Sequence, residues 1–117
     1  MEISCLTTIF YMRRNRKKLE QAIEGARDER TMAVACFALA VFHDNNSREA
    51  EAIPLYRKAL KLGLERKERA EALAWLASSL YKTGKVQEAL GCIEEAMGIA
   101  EGELVRFLEG LKGRISG

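Results

Sequence analysis

Seven residues between Cys36 and Ala59 recur in size 37 positions later, between Leu73 and Ala96, and this recurrence narrows the folds open to the chain. The pairs are Cys36 with Leu73, Leu39 with Leu76, Ala40 with Ala77, His43 with Leu80, Ala52 with Ala89, Tyr56 with Ile93 and Ala59 with Ala96. Within each unit the apolar residues return at three- and four-residue steps, which places them on one face of a helix. The alanines let two helix axes approach closely, and the large residues fill the space left between them.

The spacing predicts a helix over 68–82, stopped by Thr83 and Gly84, and a second over 86–100. Helices joined by so short a connection pack antiparallel. The earlier unit predicts helices over 32–42 and 48–62. Between them runs His43-Asp44-Asn45-Asn46-Ser47, where an asparagine takes the left-handed helix end and Ser47 caps the next helix. Pro54 inside the latter predicts a bend near 50–54, because a proline there withholds one hydrogen bond and crowds the carbonyl four residues earlier. Gly63 and Gly102 are expected to end their helices. Gly91 and Gly98 fall inside the helix over 86–100, where a close neighbour would explain them. A last helix over 103–115 carries Leu104, Phe107, Leu108 and Leu111 on one face and serves as a cap.

Met32 to Phe42 is apolar at all eleven positions. That is too short to span a bilayer, which takes about 20 residues. A helix apolar all round is buried all round, so this one is expected between the amino-terminal segment and the repeats. The amino-terminal segment has two readings. Ile3, Leu6, Phe10, Leu19, Ile23 and Ala26 fit a degenerate extra repeat, while Cys5, Ile9, Met12, Leu19, Ile23 and Ala26 form one heptad-spaced stripe of a longer helix. A helix over 15–28 is common to both.

The large-small order and the turn resemble the tetratricopeptide repeat, a helix-turn-helix unit of about 34 residues. HDNNSREAEAIPLY followed by LAWLASSLYKTG is similar to a bacterial group of small proteins of that kind. The resemblance implies an all-α fold of about six helices in antiparallel repeats, an α-solenoid forming one domain over 1–117. It divides into an amino-terminal segment (1–32), repeats over 33–69 and 70–103, and a capping helix (104–117). Departures are three extra residues in KLGLERKERA, no closing proline, and an aromatic displaced by two places to Trp75, with Leu73 at its usual site.

In such repeats the first helices line a concave surface that receives a peptide or a partner's helix. The resemblance places Val34, Phe37, Val41, Asp44 and Asn45 on that surface in the first unit. In the second it places Glu71, Ala74, Trp75, Ser78, Tyr81 and Lys82 there, and on the last helix Leu108 and Lys112. Phe37, Val41, Asn45, Trp75, Ser78, Tyr81, Lys82 and Lys112 are the partner-binding candidates. Phe37, Val41 and Trp75 have a rival placement in the core, beneath the amino-terminal helix. Phe37 and Val41 stand where some relatives carry the Lys and Asn that grip a terminal carboxylate, so a chaperone-tail clamp is not expected.

No nucleophile-base spacing, metal-ligand cluster or phosphate loop occurs, so neither catalysis nor a cofactor or metal is expected. Ser78-Ser79 has no basic partner nearby in sequence, and His43, the single histidine, falls at an interface position of the repeat. Cys5, Cys36 and Cys92 have no disulfide or metal spacing and read as small buried hydrophobes in a reducing compartment. The apolar run before the basic cluster reverses the order of a secretory signal. These features point to the cytoplasm. Net charge is only +2. Arg13 to Lys18 concentrates positive charge, without the interleaved aromatics that stack bases. The function expected is non-enzymatic capture of a peptide or partner helix. The alternatives are a self-associating structural protein and an anion-binding module using residues 13–18 on RNA, DNA or lipid.

Overall fold

The computed structural model describes residues 15–116, and all the regular structure among them is helical. The six helices are α1 (Arg16–Glu24), α2 (Glu29–Asn45), α3 (Glu49–Leu62), α4 (Arg66–Lys82), α5 (Val86–Met97) and α6 (Glu103–Ser116). Helices α2 with α3 and α4 with α5 form the two hairpins, α3 packs on α4, and α6 closes the far end against α4 and α5. At the near end α1 lies on α2, so α2 touches α1, α3 and α4. That accounts for its unbroken apolar run. Residues 2–13, which bear on the choice between an extra repeat and one long helix, lie outside the described residues, as does Cys5.

All fourteen residues of the seven matched pairs are buried. The first hairpin and α1 share one apolar cluster, built on Leu19, Phe37, Leu39 and Tyr56 and reaching Leu76, Leu80 and Ala89 in the second hairpin. A second cluster of Leu73, Ala77, Ile93, Leu108 and Leu111 holds α6. Leu108 and Leu111 follow Leu73 and Leu76 by 35 residues, so α6 enters the stack as the first helix of another unit.

Several boundaries differ from the sequence reading, each for a local reason. Helix α1 ends at Glu24, four residues early, because Asp28 instead caps α2: its carboxylate accepts the Thr31 backbone N–H at 2.7 Å. Hydrogen bonding from the Thr31 backbone, and then from its side chain, holds the Asp28 carboxyl below the usual aspartate range. Ser47 does not cap α3. It takes the left-handed conformation itself (φ 60°), while the His43 carbonyl accepts the N–H groups of Asn46 and Arg48, and Arg48 stands at the cap position without a side-chain capping bond. Helix α4 begins two residues early, at Arg66, and α5 ends at Met97 with Gly98 as its cap. Helix α3 runs unbroken through Pro54, which is exposed.

Gly84 has φ 83°, a conformation that a side chain would strain, and it turns the chain from α4 into α5. Gly91 needs no such freedom and no close neighbour explains it: a Cβ there would meet nothing within 4 Å. Gly91→Ala is therefore expected to stabilise the fold by about 1 kcal/mol, read as a higher urea midpoint at unchanged slope.

Candidate functional site

Between α4, the first helix of the second unit, and the closing helix α6 runs an open groove. Helix α4 contributes Glu71, Ala74, Trp75 and Ser78, and α6 contributes Leu104 and Phe107, around a cavity of about 340 Å³. A second hollow of about 510 Å³ shares Glu71 and Leu104 and continues past Arg66, Lys67 and the loop before α6. From Arg66 to Ser78 the groove follows α4 for about 18 Å at the helical rise, the length of three turns of a docked helix.

Trp75 and Phe107 are the exposed large hydrophobic residues among the described residues, at 36% and 44% of their free surface. Both flank the same cavity. Helical spacing explains the pairing on α4: Leu73, Leu76, Ala77 and Leu80 take the buried stripe, so Glu71, Trp75 and Ser78 project to the other side, a turn apart. On α6 the core positions belong to Leu108 and Leu111, and Phe107 falls outside them. Thirty-five residues after Trp75 and Ser78 stand Gly110 and Gly113. Neither would meet a neighbour if given a Cβ, so this part of α6 presents bare backbone.

Glu71 is the charged member of the cavity wall. One carboxylate oxygen is buried with no hydrogen-bond partner among the described residues. Burial pushes its carboxyl above the usual glutamate range, opposed by Lys67 and reinforced by Glu68.

The structure separates the candidate residues of the sequence reading. Trp75 and Ser78 line the groove together. Tyr81 is half-buried at the seam between the two apolar clusters. Lys82 is exposed, its amine 3.9 Å from the Glu49 carboxylate. Asn45 and Lys112 are exposed but do not line the cavity. Phe37 and Val41 are core residues, 1% and 3% exposed, a correction to their groove placement. The Phe37 ring lies tilted against Tyr56 of its own hairpin, centroids 6.1 Å apart, because a helix apolar on every side has no face left for a ligand. Leu108, also placed on the concave side, is buried; Phe107 and Leu104 take that role on α6. The missed signal was register: laying α6 over α4 assigns Leu108 and Leu111 to the core and leaves Phe107 over.

Asp44, another concave expectation, turns inward. Its Oδ2 accepts the Tyr56 hydroxyl at 2.9 Å and the Ser79 hydroxyl at 2.8 Å, joining α2, α3 and α4 at a buried point. Burial and this carboxylate push the Tyr56 phenol far above its ordinary value, so it remains a donor. His43 is packed: it is buried beside Phe42, and its Nδ1 accepts from Arg48 Nε at 3.1 Å. Burial lowers its pKa and favours the neutral ring, so the Glu51 carboxylate at 4.0 Å is a neighbour rather than a salt-bridge partner.

Among the described residues no group of three or more His, Cys, Asp and Glu is placed to hold a metal ion. Of the basic segment, Arg13 and Arg14 lie outside the described residues, Arg16 pairs with Glu20 at 3.0 Å, and Lys17 and Lys18 are exposed. Among the described residues no helix is long and apolar enough to cross a membrane.

Compared with known proteins, the chain matches the family profile described as Tetratrico peptide repeat over residues 33–113. No curated protein and no solved structure matches it. The matched span runs from within α2 to within α6, takes in most of both hairpins and of the closing helix, and covers more than half of the chain. Stacked hairpins, buried pairs and family profile agree: the chain belongs to the tetratricopeptide repeat family, whose members generally serve as protein–protein interaction modules and are typically non-enzymatic.

Proposed function

We propose that the protein captures a segment of a partner protein in the groove between α4 and α6, without catalysing a reaction. The observation that carries this is the exposed pair Trp75 and Phe107 on opposite walls of one cavity. A tryptophan with over a third of its surface open keeps an apolar face for a ligand, and aromatic anchors in a pocket dominate protein interfaces. The groove's length suits an amphipathic helix, whose apolar residues recur at three- and four-residue steps. Ser78 offers a hydroxyl beside Trp75. Lys82, one turn further on α4, extends the contact, with Tyr81 and, on the closing helix, Lys112 as outlying contributors. Asn45 stands apart from this groove. The cytoplasm is the compartment proposed, in keeping with Cys36 and Cys92 as free thiols.

Trp75 is the single tryptophan of the chain, so its emission reports on the groove directly. Amphipathic helical peptides selected from a display library against the protein are expected to shift that emission. Trp75→Ala should weaken the same peptides at least tenfold by calorimetry while circular dichroism shows the variant still folded. Peptides that bind wild type and Trp75→Ala equally would place the contact elsewhere.

A further inference from the structure

Building on the groove reading, we propose that the partner segment carries a lysine or arginine beside its apolar anchor, and that Glu71 receives this cation while Trp75 and Phe107 enclose the anchor. Three observations support it. The cavity wall is otherwise apolar or hydroxylic, so Glu71 brings the one full charge that the six lining residues contribute. One oxygen of that carboxylate is shut off from solvent with no hydrogen-bond partner among the described residues, which leaves a poorly solvated charge that a bound ammonium or guanidinium at the other oxygen would offset. Finally, Glu71 and Trp75 are four residues apart on α4, which puts their Cβ atoms roughly 6 Å apart on one face. A cationic head at Glu71 then lays its methylene stem along the indole, and an arginine can stack on it.

The other charged residues of the groove lie outside the cavity wall, Lys82 on α4 and Lys112 on α6 among them. Lys67, one turn before Glu71, forms no ion pair with it, and Glu68 adds negative charge beside it. Arg66, Lys67 and Glu101 line the adjoining hollow and not the anchor cavity. The anchor cavity therefore meets its ligand with Glu71 as its own charge. A carboxylate-ended or acidic segment would place like charges together, which selects against it.

The test uses the full chain and a display library of amphipathic helical peptides randomised on the apolar face and its borders. Selection on wild type, with peptides that also bind Trp75→Ala removed, is expected to enrich Lys or Arg next to a large apolar residue. Replacing that cation by norleucine in the best peptide should cost about tenfold in Kd on wild type. On Glu71→Gln the same replacement should change little, and circular dichroism checks that this variant is folded. Trp75-dependent winners without a cation, or a norleucine penalty equal on wild type and Glu71→Gln, would overturn the role of Glu71 and leave groove binding standing. An absence of Trp75-dependent winners, or a Trp75-dependent dimer of the chain itself in light scattering, would remove both.

Discussion

Phe37→Ala is expected to cost about 3–5 kcal/mol of stability, the range for deleting a buried phenylalanine from a packed core. The ring is almost fully enclosed and rests on Tyr56, itself buried. Truncation loses transfer free energy and leaves a cavity between α2 and α3 that rigid helix packing closes only in part. Domains of this size are stable by about 5–15 kcal/mol, so the variant should show a large drop in urea midpoint at similar slope. The contrast with Trp75→Ala is the informative part, since both residues were candidates for one ligand surface. A Phe37→Ala protein within 1 kcal/mol of wild type that no longer binds peptides would return Phe37 to the groove and dismantle the packing described here.

Asp44→Ala should lose about 2–4 kcal/mol. Its carboxylate holds two buried hydroxyls, from Tyr56 and Ser79, and each buried donor left without a partner costs about 1–3 kcal/mol. The loss spans the boundary between the two hairpins, because Ser79 belongs to the second. Substituting all three groups together, Asp44→Leu with Tyr56→Phe and Ser79→Ala, removes the polar groups instead of orphaning them. That triple variant is expected to be more stable than Asp44→Ala. The shortfall of its loss from the summed effects of the same three single substitutions, measured through the intermediate variants, gives the coupling energy, expected at about 0.5–3 kcal/mol for groups in one network. Simple additivity would show that the three groups act independently and that this network does not couple the hairpins.

These two residues mark where a sequence reading stops. The repeat was legible because size and period are local properties: Ala40 and Ala77, or Leu39 and Leu76, announce a close-packed face wherever the chain goes next. All fourteen matched positions are buried, and Gly63, Gly84 and Gly102 take the positive φ values that their turns need. Helix ends were less legible at Asp28 and Ser47. There one side-chain or backbone hydrogen bond shifts the boundary by several residues, and several nearby residues can make it.

Composition and spacing in the chain determined two antiparallel helical hairpins, stacked through alanine-spaced faces, with a further helix to close them. Tertiary structure alone decided which apolar residues became core and which became surface. Phe37, Trp75 and Phe107 are alike in sequence terms, each an aromatic in an amphipathic or apolar helix, yet the first is enclosed and the other two stand open on one groove. The difference arises from the neighbours: α2 is covered by α1, α3 and α4, while α4 and α6 leave a cavity between them. Burial is a sum over every element that reaches a side chain, and no local pattern contains that sum.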